Sequence, residues 1–129
     1  MFFAINSANG VPIYEQIVRQ TKFAIASRAL ASGELIPSVR ELARELTLNP
    51  NTVARAYRQL QSEGIVEVVR GSGLQVAPGA LRMCVEERQK LVRARLQEVF
   101  LEAKQSRIDL KQLRALVERE LAALEREGE

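Results

Sequence analysis

Asn51, Arg55 and Arg58 follow one another at intervals of four and three residues, with Ser62 four further on. At 100° per residue, that spacing puts all four on one side of a helix. Asparagine and arginine are the side chains able to form paired hydrogen bonds with adenine and guanine edges. Thr52, Ser38 and the free N–H groups of nearby helix starts suit phosphate oxygens. Arg40 and Arg44 stand one helical turn apart, and Arg70 lies beside Gly71 and Gly73, where a bare backbone can approach a phosphate or enter a minor groove. Such a set is suited to recognising a polyanion.

Other chemistry is hard to assemble. The 129 residues contain no histidine and a single cysteine, Cys84. That removes an internal disulfide, the usual zinc and haem sites and the Ser-His-Asp triad. No metal or other cofactor is expected, and no catalytic constellation is visible. Cys84 reads as a small apolar filler, with a redox switch as its alternative. Hydrophobic content of 47% and charged content of 27% are those of an ordinary globular protein. No apolar run approaches the roughly 18 residues of a membrane span. Met1-Phe2-Phe3-Ala4-Ile5 is uncharged and does not read as a signal peptide, so the cytoplasm is the default address. The net charge is only +3, with eight Lys/Arg against six Asp/Glu in residues 1–78 and eleven against ten in 79–129. An interaction with a polyanion must therefore rest on where the arginines sit.

The elements that would position them follow from local signals. Residues 1–10 read as a short apolar strand or arm ending in a turn at Asn9-Gly10. A helix starts at Pro12 and runs to about Arg28, with Ile13, Tyr14, Ile17, Ala24 and Ile25 as its apolar stripe. Thr21 interrupts that stripe, and Phe23 points nearly opposite, so that it is exposed or meets another element. After a loop at Ser32-Gly33, Ser38 caps a short second helix with Glu41 as its capping-box partner. Val39, Leu42, Ala43 and Leu46 form the buried face of that helix. Thr47-Leu48-Asn49 can only be a tight turn. Asn49 caps a third helix with Pro50 in its first position, inner residues Val53, Ala56, Tyr57 and Leu60, and a stop at Gly64. From Ile65 the period becomes that of a β-hairpin, 65–69 and 74–77, turning at Arg70-Gly71-Ser72-Gly73. Beyond Pro78-Gly79 a helix spans roughly 80–104, and another runs from the cap at Asp109 to near Arg126.

Two short helices joined by a three-residue turn and followed by a hairpin form a winged helix-turn-helix. The predicted fold is therefore mostly α with a small β-hairpin: an arm over 1–10, a winged helix-turn-helix over 11–77 and a two-helix tail over 78–129. Pro12-Ile13-Tyr14-Glu15-Gln16-Ile17, Pro37-Ser38-Val39-Arg40-Glu41-Leu42-Ala43, Asn49-Pro50-Asn51-Thr52-Val53-Ala54-Arg55-Ala56-Tyr57, Glu63-Gly64 and Arg70-Gly71-Ser72-Gly73 together resemble the GntR family of bacterial repressors. The resemblance covers about residues 11–77 without a gap. It implies DNA contacts from Arg40, Asn49, Asn51, Thr52, Arg55, Arg70 and Gly71. The short helical tail is similar to that of the YtrA-like branch, in which two helices dimerise in place of a large effector domain. Thr47 stands where the family often has glycine, at a cost of roughly 1 kcal/mol if the turn is left-handed. Gln75 replaces an apolar residue on the returning strand, so a loosely packed wing is expected. Thr21 replaces a usual Ile or Leu.

In the first tail helix Leu81, Val85, Val92, Leu96, Val99, Phe100 and Ala103 share a broad face, as do Leu110, Leu113, Leu116, Val117, Leu121 and Leu124 in the last. Two helices cannot bury stripes this wide against each other, so a second copy of the chain is expected to cover them, with packing on the chain's own winged domain as the alternative. The dimer interface is assigned to Leu81, Val85, Val92, Leu96, Val99, Phe100, Leu113, Leu116, Val117, Leu121 and Leu124. Arg19, Arg44 and Arg58 fit solvated surface charge better than base reading, although Arg58 shares the outer face with the DNA contacts. The leading reading is a dimeric regulator, a repressor, bound to a palindromic site in double-stranded DNA through Ser38, Arg40, Asn49, Asn51, Thr52, Arg55, Arg58, Arg70, Gly71 and Gly73. A winged helix used to bind another protein is the competing class, and it would need no arginine at these positions. Some relatives carry an aminotransferase-like domain, but about 50 residues after Pro78 cannot hold one. An effector molecule would have to lodge between the tail helices or at the dimer interface.

Overall fold

The computed structural model describes residues 3–128, so the first two residues of the expected arm lie outside it. Five helices and one hairpin follow in order: α1 (Ile13–Ala26), α2 (Val39–Leu46), α3 (Pro50–Ser62), β1 (Val66–Val69), β2 (Gly73–Val76), α4 (Ala80–Gln105) and α5 (Leu110–Glu127). They divide into two compact units, Met1–Gln89 and Lys90–Glu129, with the division inside α4. Among the described residues no helix is long and apolar enough to cross a membrane.

The first unit is the winged helix-turn-helix. At the start of α2 the Ser38 hydroxyl oxygen accepts from the Glu41 N–H at 3.1 Å, while the Glu41 carboxylate accepts from the Ser38 N–H at 3.3 Å. This satisfies two donors that a helix start leaves free. α2 ends at Thr47, which takes the left-handed conformation at φ 55° and ψ 52°. The Asn49 side-chain oxygen then accepts from the Asn51 N–H at 2.9 Å, and Pro50 occupies the first turn of α3. The hairpin pairs Val66 with Val76 and Val69 with Gly73. Ile17, Leu42, Val53, Ala56 and Leu60 are completely buried between the helices. Full burial of a Leu or Ile side chain contributes roughly 1.5–3 kcal/mol.

α1 stops at Ala26 instead of reaching Arg28, because Arg28 turns left-handed at φ 66° and the Leu30 N–H returns to the Ala24 carbonyl at 3.1 Å. The described part of the arm contains no strand. Its backbone is satisfied by side chains of α1: the Gln16 carbonyl accepts from the Asn6 N–H at 2.8 Å, and the Gln20 carbonyl accepts from the Ala4 N–H at 2.8 Å. The buried Thr21 causes no conflict, since its hydroxyl donates to the Ile17 carbonyl at 2.7 Å. The wing is not loose at Gln75, whose amide donates to the Glu67 carboxylate across the hairpin at 2.7 Å. The segment 33–36, expected as plain loop, lies along β2: Gly33 N–H donates to Val76, Val76 N–H to Glu34 and Ile36 N–H to Leu74.

The first turns of α4 belong to this core. Ala80 and Cys84 are buried in it, and Leu81 packs half-buried against it. Phe23 meets this stretch, with the Arg88 guanidinium 4.8 Å above its ring centre.

The second unit contains the rest of α4 and α5. Arg107 is left-handed at φ 59°, and Asp109 and Gln112 form a second capping box at 2.8 and 3.4 Å. Ala103 is the one hydrophobic side chain buried here among the described residues. Val92, Leu96, Val99, Phe100, Leu116, Leu121 and Leu124 remain 40–64% exposed. Leu113 and Val117 are half-buried and, with Phe100, Leu101, Ile108 and Leu110, line a cleft of about 1000 Å³.

Candidate nucleic-acid interface

The inner face of α3 is fixed by Val53, Ala56, Tyr57 and Leu60, all buried, and this determines what points outward. Asn51, Arg55, Arg58 and Ser62 are exposed on the other side, as their spacing requires, while Thr52 is half-buried. Arg40, in the second position of α2, and Arg70, in the hairpin turn, are exposed too. Gly71 and Gly73 shape that turn with φ of 83° and 110°, values that a side chain would strain.

One groove of about 760 Å³ joins these elements. Its lining includes Ser38, Val39 and Glu41 of the α2 start, Tyr57 of α3 and Ser72, Gly73 and Leu74 of the wing. The structure thus brings Ser38 and Gly73 to one place. Tyr57 holds the α2 entry there, its hydroxyl donating to the Pro37 carbonyl at 2.8 Å. Burial first, then the charges of Glu41 and Glu45, push that phenol well above its ordinary pKa. Tyr57 therefore remains a neutral donor at every pH at which the domain would work.

Electrostatically, the arginines of this surface are uncommitted. Ion pairs among the described residues join Arg19 to Glu15, Lys22 to Glu63 and Glu87, and Arg82 to Glu86. Among the described residues Arg40, Arg44, Arg55, Arg58 and Arg70 have no carboxylate within 4.0 Å, so their charge is available to an external anion. Asn49 and Ser38 are partly committed, because their side-chain oxygens cap helices. The Asn49 NH2 group and the Ser38 hydroxyl hydrogen still have donor capacity.

Two groups that support α3 escaped the sequence reading. Tyr14, assigned only to an apolar stripe, carries the Arg55 guanidinium on its ring, 3.8 Å from the centroid. Lys22, given no role, joins α1 to the end of α3 and to α4, at 2.8 Å from Glu63 and 3.1 Å from Glu87. Burial alone would lower its pKa, but the hydrogen bonds and charges of the two carboxylates outweigh burial and hold it above 10.5. Cys84 lies in the core nearby, its thiol pushed up to about 11 by burial and then by Glu87. A thiol so placed is an unreactive filler at neutral pH.

The family described as "Bacterial regulatory proteins, gntR family" matches residues 13–76. The transcriptional repressor YtrA of Bacillus subtilis is 36% identical over 109 residues, 84% of each chain. A transcriptional regulator from Oenococcus oeni, solved as a crystal structure, superposes with a TM-score of 0.81 at 28% identity, over 93% of this chain and 99% of its own. The DNA-binding domain of AraR, solved in complex with operator ORX1, matches 60% of this chain and 93% of its own, with a TM-score of 0.50 and 26% identity.

Proposed function

The chain belongs to the GntR family of bacterial regulatory proteins, and on that premise we propose that it is a repressor that grips a palindromic operator as a homodimer. The observation that carries the DNA-reading role is the outer face of α3, where Asn51, Arg55 and Arg58 stand exposed with no competing carboxylate among the described residues. In this reading α3 enters the major groove, with Asn51 and Arg55 at base edges and Arg58 at its margin. Ser38, Arg40, Asn49 and Thr52 hold phosphates beside the two helix starts. Arg70, Gly71 and Gly73 bring the wing to the minor groove or the backbone. The AraR DNA-binding domain, caught on its operator, gives the same kind of fold a duplex partner.

One winged domain covers a half-site only. The exposed apolar stripe of the tail supports pairing of two chains through Val92, Leu96, Val99, Phe100, Leu113, Leu116, Val117, Leu121 and Leu124. Val85, half-buried, precedes that set along α4, whereas Leu81 packs half-buried against the winged core. A gel shift on a palindromic duplex from the chain's own promoter tests the reading. Specific binding that disappears in Arg55→Ala and Arg40→Ala, with helix content and melting unchanged, is expected. Undiminished binding by both variants would sink the assignment of the interface.

A further inference from the structure

We propose that Tyr14 is a positioning residue for DNA recognition, holding the Arg55 guanidinium in place before DNA arrives. The inference rests on the reading that the outer face of α3 meets DNA. Arg55 is exposed, and an unsupported arginine samples many rotamers that it must give up on binding. Its guanidinium instead lies 3.8 Å from the centroid of the Tyr14 ring, a stacking distance. Tyr14 is half-buried and packs against the core, so the ring cannot follow the arginine into solvent. Platform and cargo share one foundation, since α1 and α3 pack together in one core that contains the buried Ile17 and Val53.

Stacking covers a face of the guanidinium and leaves its N–H donors free at the edge, where a guanine edge or a phosphate would bind. Nearby acid does not divert it: Glu15 is turned to Arg19 at 3.6 Å. Among the described residues Arg40, Arg58 and Arg70 rest on no aromatic ring, so this support is particular to Arg55. A planar guanidinium is also required, because a lysine ammonium cannot stack and present paired donors together.

The experiment measures binding of the palindromic promoter duplex by wild type, Tyr14→Phe, Tyr14→Leu, Arg55→Lys and the Tyr14→Leu/Arg55→Lys double variant. Melting curves and proton spectra of the free proteins accompany it. Tyr14→Leu is expected to weaken binding about 3- to 10-fold, Tyr14→Phe to restore it, and the double variant to bind no more weakly than Arg55→Lys. Ring-current shifts of the Arg55 side-chain protons should be present in wild type and Tyr14→Phe and absent in Tyr14→Leu. If Tyr14→Leu loses those shifts yet binds as wild type does, Tyr14 is only a surface staple between α1 and α3. Losses that add fully in the double variant equally overturn the positioning role. A wild-type chain that ignores the duplex overturns the DNA reading itself and this role with it, an outcome distinct from both.

Discussion

In the winged unit Ile17, Leu42, Val53 and Leu60 have no exposure, whereas in the tail Leu96, Phe100, Leu116 and Leu121 remain 40–49% exposed. Both units are built from amphipathic helices, so the difference lies in how many surfaces meet. Three helices with a hairpin behind them enclose a volume. Two helices joined by a short turn touch along one line and leave the rest of each apolar stripe uncovered. The first unit can therefore hold its own shape and present a fixed outer face. The second leaves apolar surface that, in the proposed dimer, another tail covers.

Truncating a large side chain in each unit would sharpen that contrast most. Leu60→Ala should cost about 2–5 kcal/mol in denaturant unfolding, independent of protein concentration. Leu116→Ala removes the same atoms from a side chain that is 43% exposed. Its cost should be below about 1.5 kcal/mol at low concentration and grow as the chains associate. Equal, concentration-independent losses would mean that the tail is already a closed core.

Charge introduced into the stripe tests the covering directly. Leu96→Glu with Leu121→Glu should leave the winged unit folded but shift the chain to monomer in sedimentation. Operator binding should then fall about 100-fold or more as the second half-site loses its tether. A double variant that still sediments as a dimer would place the interface elsewhere.

What was legible in the sequence divides along a related line. Ser38 with Glu41, Asn49 with Pro50, Gly71 with Gly73 and the Asp109 cap all act within four residues of themselves, and the structure has each where local rules put it. The face of α3 was legible because helix periodicity needs no partner to be stated. Lys22 was not, because its acceptors lie 41 and 65 residues away. Nor was Gln16, whose buried amide serves the arm's backbone, or the ring of Tyr14 beneath Arg55. Gln75 misled because the sequence displayed a polar residue on a strand but not the Glu67 opposite it that accepts its hydrogen bond. Pro78-Gly79 marks where the strand period ends, yet packing of the winged unit carries on through Ala80 and Cys84.

Lys22 offers the next largest effect. Lys22→Met keeps the stem but removes the charge between Glu63 and Glu87, both more exposed than the lysine. Discounting for that exposure, the loss should be roughly 1 kcal/mol at neutral pH. Burial pushes the Glu63 pKa up, but hydrogen bonds from Lys22 and Gln59 outweigh it and bring it below 4.5. A lowered carboxyl pKa contributes stability above its unfolded value, lost as pH falls through the folded one. The raised lysine contributes below 10.5, and that part is lost as pH rises through its folded value. The wild type should therefore exceed the variant across neutral pH and lose its advantage at both extremes. A difference that does not change with pH would show that packing of the lysine stem, and not its charge, matters.

The smallest effect compares the turns of the two units. Thr47 in the first and Arg107 in the second are both left-handed without being glycine, at φ 55° and 59°. For an L-residue that conformation costs roughly 1–2 kcal/mol, and branching at Cβ makes Thr47 the costlier of the two. Glycine removes the strain but adds freedom to the unfolded chain, which returns about 0.5–1 kcal/mol of the gain. Thr47→Gly should thus raise stability by roughly 0.5 kcal/mol and melting by a few degrees, while the unbranched Arg107→Gly should come out close to neutral. Equal gains at both sites would assign the strain to the left-handed backbone alone. A gain at Thr47 only would assign it to the branch at Cβ.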